Sequence, residues 1–338
     1  MTGALQPIPR LRNIDRETFH RDVVPRGEPV VLEGLVGDWP AVRSATESPE
    51  AACAYLAGLD SGVEADAVLV PAGLGGRMFY EPDLRSFNFA RRKLSVSGVL
   101  QHLARYSHFE SPPSVALQCA HIAECLPAFE AANTMPLMDD DVHPRLWLGN
   151  AFLTPAHIDE LDNLACVVGG RRRFTLFPPE QIANLYIGPV DFAPTGAPIS
   201  MVDFAAPDLE RFPRFAEARA QAVSAELGPG DAIFIPPLWW HHVQSLELCN
   251  ILVNYWWGAS HADNAGLDCL THALITLRRL PASQRAAWAA LFDYYVFGDN
   301  EKTVAHIPEA RRGMLGPLSA DFIRERRALL ASKLSAKS

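Results

Sequence analysis

The sequence predicts an α+β protein whose middle third is a β-rich core, and three observations support this prediction. Short apolar runs separated by tight turns fill residues 145–257. The chain before residue 132 mixes helix-like and strand-like runs, and the chain after residue 261 changes to helical periodicity. We therefore predict three segments: N-terminal α/β elements over 1–132, a β core over 133–258 and C-terminal helices over 259–338.

Capping patterns place helices in the first segment. Asp15, with Thr18 three residues later, predicts a helix that runs to residue 21, and Ser48 before Pro49 predicts a second that runs to residue 59. An amphipathic pattern predicts a third over 95–106. Two apolar runs predict strands, at 29–35 and 67–71.

Turn-forming Gly and Pro residues separate most of the later apolar runs. The predicted strands cover 145–153, 156–168, 172–177, 222–227, 232–235, 240–245 and 249–257. Short strands joined by tight turns are typical of an antiparallel barrel or sandwich. The predicted C-terminal helices cover 264–280, 283–296 and 319–333.

Composition excludes several functional classes. The chain has 338 residues, with 39 acidic and 30 basic residues and a net charge of -9, which argues against a nucleic acid partner. We expect no membrane contact and a cytoplasmic location, because the sequence shows neither a long apolar run nor the pattern of a signal peptide. The six cysteines form no Cys-x-x-Cys pair, so we expect small core residues in a reducing compartment.

One His-x-Asp pair is a candidate for metal binding. His157 and Asp159 lie on the predicted strand 156–168, where residues two apart share a face. The similar pairs at 20–22 and 261–263 lie in a helix-like segment and at a helix start, so strand context favours the first pair.

A third ligand must come from another strand. His241 and His242 are adjacent on the predicted strand 240–245, and only one of them can point into the barrel. Two histidines and one carboxylate form the facial triad of non-haem Fe(II) oxygenases, in which a 2-oxo acid and dioxygen take the open positions. A zinc hydrolase remains an alternative.

The second carboxylate of a 2-oxo acid requires a cation. Arg171, Arg172 and Arg173 begin the next predicted strand, and alternation turns Arg172 away from the side that the other two face. Beside a metal triad, this pattern favours a cosubstrate site over an exposed basic strand end.

A series of motifs makes the prediction more specific. The motifs are Thr154-Pro155-Ala156-His157-Ile158-Asp159-Glu160, Leu176-Phe177-Pro178-Pro179, Val202-Asp203-Phe204, Gly228-Pro229-Gly230-Asp231, Trp239-Trp240-His241-His242 and Val253-Asn254-Tyr255-Trp256. In this order they resemble the JmjC/cupin-like 2-oxoglutarate oxygenases, and among them the asparaginyl hydroxylases. The resemblance implies a double-stranded β-helix core, the jelly-roll or cupin fold.

The resemblance also implies the ligand set. It implies that His157, Asp159 and His242 bind Fe(II), and that His241 faces away from the metal. It implies that Thr154 and Arg172 bind the distal carboxylate of 2-oxoglutarate, with the arginine able to hold it bidentately.

Three further residues match family positions around the metal. Asn163 and Asn254 match amides that approach the cosubstrate and the metal, and Trp256 matches an aromatic wall beside the iron. Barrel packing or turn hydrogen bonds would explain the same three residues equally well.

Two departures from the asparaginyl hydroxylase pattern concern cosubstrate and substrate. Ala116 occupies the position of a tyrosine that binds 2-oxoglutarate, and Tyr80 is a candidate replacement. Pro198 and Ile199 occupy the positions of an Arg-Gln pair that holds the substrate amide. Asparaginyl specificity is therefore not implied.

The expected activity is Fe(II)-dependent hydroxylation of a C–H bond, on a side chain of a protein or peptide, with consumption of O2 and decarboxylation of 2-oxoglutarate to succinate. A metal-binding cupin module without turnover, an oxygenase of free amino acids and a methyl-lysine demethylase remain alternatives. Apolar stripes on the C-terminal helices predict a homodimer, and packing of these helices back onto the barrel is the alternative. They comprise Leu267, Leu270, Leu274, Leu277, Trp288, Leu291, Phe292 and Tyr295.

Overall fold

A computed structural model of the chain describes residues 5–258 and 266–335. The chain forms two compact units that divide between residues 264 and 265. The first unit contains the β core together with the N-terminal elements, and the second is helical. None of the helices within the two described ranges is long and apolar enough to cross a membrane.

The first unit holds all the strands that the structure describes. They are β1 (Gln6–Pro7), β2 (Arg10–Arg12), β3 (Val30–Glu33), β4 (Ala65–Val70), β5 (Ala90–Leu94), β6 (Ser114–His121), β7 (Arg145–Gly149), β8 (Phe152–His157), β9 (Asp162–Gly169), β10 (Arg172–Phe177), β11 (Val223–Leu227), β12 (Ala232–Ile235), β13 (Trp240–Ser245) and β14 (Asn250–Trp257). Its α-helices are α1 (Arg16–Thr18), α2 (Pro40–Glu47), α3 (Pro49–Leu59), α4 (Val96–Tyr106), α5 (Ile122–Cys125), α6 (Phe129–Ala132) and α7 (Phe215–Ala220).

Strands β7 to β14 form a jelly roll of two antiparallel sheets, which confirms the predicted fold class. In one sheet the order is β11-β10-β13-β8, and in the other it is β12-β9-β14-β7. Buried apolar side chains from both sheets, including Val167, Phe174, Leu176 and Ile233, fill the space between them. Inward-facing positions therefore recur at every second residue.

The N-terminal strands extend these sheets. Strand β1 pairs with β11, while β2 and β3 continue one edge of the second sheet and β6, β4 and β5 continue the other. Helices α2, α3 and α4 supply Val42, Leu56 and Leu100 to the large core on the outer face of this sheet. The N-terminal segment thus belongs to the same compact unit as the barrel.

Predicted helix starts are confirmed by their capping bonds. The side chain of Asp15 accepts a hydrogen bond from the amide of Thr18 at 2.8 Å. Ser48 and Ser95 cap α3 and α4 in the same way. These bonds satisfy backbone donors that a helix leaves free at its first turn.

Two predicted strands are each divided in the structure, so the prediction of continuous strands at 145–153 and 156–168 is wrong. The predicted strand 145–153 divides into β7 and β8, because Asn150 turns the chain and bonds to the backbone of Val115 and Pro113. The predicted strand 156–168 divides into β8 and β9 around a loop at 158–161. Asp159 therefore lies in this loop, immediately after the strand that carries His157.

The second unit contains helices α8 (Gly266–Thr276), α9 (Ala282–Tyr295), α10 (Asn300–Val304) and α11 (Ala320–Ser335). Three of these match the predicted helices, although the predicted start of the first, residue 264, lies outside the described residues. Helices α8, α9 and α11 contain no buried residue. Large apolar side chains such as Trp288, at 43% exposure, are therefore accessible on this unit.

Candidate metal and cosubstrate site

A cavity of about 290 Å³ opens into the barrel between the two sheets. Its barrel wall follows strand alternation, because every second residue of β9, β10, β13 and β14 faces inward. Those residues are Asn163, Ala165, Arg172, Phe174, His241, Val243, Leu252, Asn254 and Trp256. Polar and charged groups thus meet in an otherwise apolar interior.

His157, Asp159 and His241 converge on one point in this cavity. Each offers a ligand atom, and these three atoms all lie within 4.8 Å of one another. His157 is opposite His241 in the β8–β13 ladder, and their rings are 4.1 Å apart between centroids. The loop after β8 brings the Asp159 Oδ2 atom to 3.5 Å from Nε2 of His241.

Backbone carbonyls hold both imidazoles in the same orientation. Nδ1 of His157 lies 2.9 Å from the carbonyl oxygen of Pro155, and Nδ1 of His241 lies 2.9 Å from that of Trp239. When Nδ1 donates this bond, Nε2 carries the lone pair that binds a metal. The backbone therefore presets both rings as Nε2 ligands.

Two side chains hold the carboxylate of Asp159. Asn163 Nδ2 and Trp256 Nε1 each donate to its Oδ2 atom at 3.1 Å. Asn163 in turn accepts from Asn254 at 3.1 Å, and Asn254 accepts from Trp147 at 2.8 Å. This chain of hydrogen bonds crosses β7, β14 and β9 and ends at Asp159 in the cluster.

The electrostatics of the cluster favour a bound cation. Burial, with a smaller contribution from His241, lowers the pKa of His157 to about 4, so this ring is neutral near pH 7. Burial alone would raise the pKa of Asp159, but His241 holds it below the usual range and the side chain is ionised. Two imidazoles and a carboxylate are a donor set that suits Fe(II).

The structure contradicts the predicted ligand set, because His241 and not His242 converges with His157 and Asp159. His242 lies on the opposite face of β13, where its ring is 4.6 Å from the ring of Phe204. Its Nδ1 atom is buried and has no hydrogen-bond partner within residues 5–258 and 266–335, and burial lowers the pKa of the ring to about 3. The face of the strand is set by its register, in which His241 and Val243 point inward.

Arg172 is a buried cation without a counter-ion among the described residues. It is 8% exposed, its Nε atom has no hydrogen-bond partner in the described part of the chain, and burial lowers the pKa of its guanidinium to about 10. The neighbouring Arg171 and Arg173 face solvent and pair with Glu226, as strand alternation predicts. A buried guanidinium of this kind requires an anion.

Thr154 also faces the cavity, on the strand next to β13. It is opposite Val243, and its hydroxyl makes no hydrogen bond to the part of the chain that the structure describes. Arg172 and Thr154 therefore offer unused donors on the same barrel interior as the histidines. This arrangement fits the distal carboxylate of 2-oxoglutarate, while the histidine cluster fits the metal.

Tyr80 does not replace the missing cosubstrate tyrosine. Its hydroxyl donates to the carbonyl of Phe192 at 2.6 Å, and the residue does not line the cavity. Ala116 packs with Val68 and Met78 in a small apolar cluster.

Several residues of the cavity wall are not indicated by any sequence pattern, and two of them come from a bulge. Gln118 and Cys119 both line the cavity, because a bulge between Leu117 and Ala120 places two residues of β6 where a regular strand has one. Cys119 has a φ of 50°, which is strained for a residue with a Cβ atom. Bulges are frequent beside active sites, but this one has no glycine that would mark it in the sequence.

Comparisons with known proteins give a consistent result. The profile of the cupin-like domain matches residues 16–263. The tRNA wybutosine-synthesizing protein 5 of Mus musculus is 28% identical over 319 residues, which cover 84% of this chain and 93% of that protein. The bifunctional peptidase and (3S)-lysyl hydroxylase JMJD7 of Homo sapiens is 28% identical over 272 residues, 71% of this chain and 80% of that protein.

A third relative matches a shorter region. HSPB1-associated protein 1 of Rattus norvegicus is 39% identical over 113 residues, which cover 33% of this chain. The match spans only 23% of that protein's length.

Proposed function

The chain belongs to the cupin-like domain family, and from that premise we propose that it is an Fe(II)- and 2-oxoglutarate-dependent oxygenase. The proposed reaction hydroxylates a C–H bond on a side chain of a protein or peptide. The match of the cupin-like domain over residues 16–263 confirms the predicted resemblance to this family.

The buried guanidinium of Arg172 is the observation that supports this proposal best. An uncompensated cation inside a barrel is costly, so its position indicates a ligand with a negative charge. A binding module that used only a metal would need neither this cation nor the unused hydroxyl of Thr154. The pairing of a metal cluster with an anion site favours a cosubstrate that carries a carboxylate at each end.

Bound iron and 2-oxoglutarate would supply the activation of dioxygen, coupled to decarboxylation of 2-oxoglutarate to succinate. The residues of the chain would bind the metal and the cosubstrate and hold them in a fixed orientation. His157, Asp159 and His241 would hold the metal with two imidazoles and one carboxylate, the donor set of non-haem iron oxygenases. Asn163 and Trp256 fix the carboxylate of Asp159, as hydrogen bonds behind a metal ligand commonly do.

Arg172 and Thr154 would hold the distal carboxylate of 2-oxoglutarate. A guanidinium can bind a carboxylate with two parallel hydrogen bonds, which fixes both position and orientation. Phe174 and Leu252 line the same cavity and limit the access of water. A low local dielectric strengthens the ion pair between Arg172 and the cosubstrate.

The human relative is named as a (3S)-lysyl hydroxylase, and this supports a protein side chain as the substrate. A free amino acid and a methylated lysine are the other substrates that the same oxidation would accept. Mass spectrometry of the product distinguishes these cases. Hydroxylation adds one oxygen atom to a peptide or to a free amino acid, whereas demethylation removes a methyl group.

Formation of succinate from 2-oxoglutarate tests the activity without a known substrate. The full chain is incubated with Fe(II), ascorbate and 2-oxoglutarate, and uncoupled turnover is measured. We expect succinate with the unmodified chain and none with Asp159→Ala. Metal binding without succinate would support a non-catalytic cupin module instead.

We also propose that the chain forms a homodimer through its C-terminal helices. Trp288, Leu291 and Tyr295 on α9 are between 43% and 50% exposed, and Phe297 just after this helix is 74% exposed. Exposed apolar side chains at this density are typical of an interface. In a symmetric dimer these side chains of one copy would pack against the same side chains of the second copy, so that both copies bury them.

A further inference from the structure

Part of the cavity wall comes from outside the jelly roll. Asp66 on β4, Arg91 on β5, and Gln118 and Cys119 on β6 line it, together with Thr195 of the segment between β10 and β11. The barrel itself supplies the metal cluster, Arg172 and Thr154. The residues from β4 to β6 therefore form a separate side of the cavity that the metal and cosubstrate do not require.

One charged residue on this side of the cavity has no ion-pair partner among the described residues. Histidines aside, the charged residues that line the cavity within the described ranges are Asp66, Arg91, Asp159 and Arg172. The proposed function uses Asp159 and Arg172. Asp66 is opposite Lys93 in the β4–β5 ladder, and its Oδ1 atom lies 3.1 Å from the lysine Nζ.

Arg91 is thus left with a positive charge and a defined orientation. Its Nη2 atom donates to the carbonyl of Pro194 at 2.7 Å, and its guanidinium carbon lies 5.8 Å from the centre of the Phe89 ring. Within residues 5–258 and 266–335 no carboxylate forms an ion pair with Arg91, and its Nε and Nη1 atoms have no acceptor. Either of these donors, together with the second hydrogen of Nη2, can bind the two oxygens of a carboxylate.

We propose that the substrate carries an acidic group that Arg91 binds at the cavity, so that Arg91 determines specificity for the reaction proposed above. The inference rests on that proposed function and names the substrate class: a peptide with Asp or Glu close to the hydroxylated residue. A carboxylate is favoured over the phosphates of RNA, because the chain carries a net charge of -9.

The neighbouring Arg92 provides a matched control. It lies on the same strand, opposite Ala67, and Ala67 is fully buried in the core on the outer face of the sheet. The side chain of Arg92 is therefore on the opposite face from Arg91, and it does not line the cavity. The two arginines share a residue type and an exposed strand and differ in the face that they occupy.

A synthetic peptide library with random sequences tests the inference on the full chain loaded with Fe(II) and 2-oxoglutarate. Hydroxylated peptides are identified by tandem mass spectrometry, and the residues around each modified position are counted. We expect enrichment of Asp and Glu near the modified residue with the unmodified chain and with Arg92→Gln. Arg91→Gln should abolish the enrichment, and Arg91→Glu should replace it with enrichment of Lys and Arg.

Kinetics on the best acidic peptide separate specificity from general damage. Arg91→Gln should lower kcat/KM by roughly 10- to 100-fold, mainly through KM, because a hydrogen bond to a charged group is lost. Uncoupled succinate formation should stay unchanged in this variant, which shows that the metal and cosubstrate sites are intact. A fall in kcat/KM of equal size in Arg92→Gln would contradict the inference.

The remaining outcomes are also decisive. If the unmodified chain forms no succinate, the proposed function fails and this inference fails with it. If succinate forms but the hydroxylated peptides show no acidic enrichment, only the inference is overturned. If succinate forms and no peptide is hydroxylated, the inference and the proposed peptide substrate both fail, while the oxygenase activity stands. Stimulation of turnover by total tRNA that depends on Arg91 would assign the arginine to phosphate and would also overturn it.

Discussion

The Nε2 atom of His241 lies 3.5 Å from Oδ2 of Asp159, while His242, the next residue, lies on the opposite face of the same strand against Phe204. Both histidines are buried, so burial does not separate their roles. The two histidines differ in the direction of their side chains, because only His241 lines the cavity together with His157.

Removal of His241 should therefore remove the metal. We expect His241→Ala to weaken Fe(II) binding by more than the roughly 10- to 100-fold that loss of a supporting hydrogen bond costs, because a direct ligand is lost. His242→Phe should retain the metal, since its ring packs on Phe204. Metal content after dialysis, measured by elemental analysis, compares the two, and the reverse pattern would contradict the assignment.

Arg172 should control the affinity for 2-oxoglutarate. Arg172→Ala leaves the distal carboxylate without its ion pair, so the apparent KM for 2-oxoglutarate should rise by the equivalent of about 2 to 5 kcal/mol. The control is Arg173→Ala, which removes an exposed ion pair on the other face of β10. An unchanged KM in Arg172→Ala, or an equal rise in the control, would show that another cation binds the cosubstrate.

The same arginine should be unfavourable for folding in the absence of ligand. Arg172→Met removes a buried charge that no described residue neutralises and keeps most of the side-chain volume. We expect the free energy of unfolding, measured by urea denaturation without ligands, to rise by up to about 4 kcal/mol. A lower free energy of unfolding would mean that the guanidinium has a structural partner.

Trp256 should affect metal affinity without binding the metal. Trp256→Phe removes the 3.1 Å hydrogen bond to Asp159, so Fe(II) affinity should fall by roughly 10- to 100-fold. Trp257→Phe is the matched control, because Trp257 packs against Phe19 and Phe234 away from the cluster. Calorimetric titration with a divalent metal measures both, and equal losses would attribute the effect to packing.

The homodimer prediction is tested on α9. Trp288→Asp combined with Leu291→Asp places charges on the exposed apolar surface, so the mass from light scattering should fall to that of one chain. A monomeric unmodified chain would refute the dimer. A dimer that survives both substitutions would place the interface elsewhere.

Sequence patterns predicted most of the barrel, because tight turns and alternation determine short strands locally. They also predicted the inward direction of Arg172, whose exposed neighbours carry the same residue type. Sequence patterns could not distinguish His241 from His242, because the face that each of two adjacent strand residues occupies depends on the register of strand pairing. His157 and Asp159 do converge, but through a loop after β8, so the strand argument that linked them was incorrect.

The other missed features share a cause. The bulge that brings Gln118 and Cys119 into the cavity depends on pairing between β6 and β7, and no residue type in β6 requires it. The pairing of Lys93 with Asp66, which leaves Arg91 without a counter-ion, also depends on a ladder between strands. Local sequence determines elements, whereas register determines which side chains meet.

The binding of iron and 2-oxoglutarate in one site is measured most directly by an anaerobic titration of the Fe(II)-loaded chain with 2-oxoglutarate, followed by visible absorption. Chelation of Fe(II) by a 2-oxo acid produces a charge-transfer band, so the signal requires that Fe(II) and 2-oxoglutarate are bound in the same site. We expect the band with the unmodified chain and with His242→Phe, a weaker affinity for 2-oxoglutarate with Arg172→Ala, and no band with His241→Ala. No band with the unmodified chain, or a band that survives His241→Ala and is lost in His242→Phe, would show that this cluster does not bind iron and 2-oxoglutarate together.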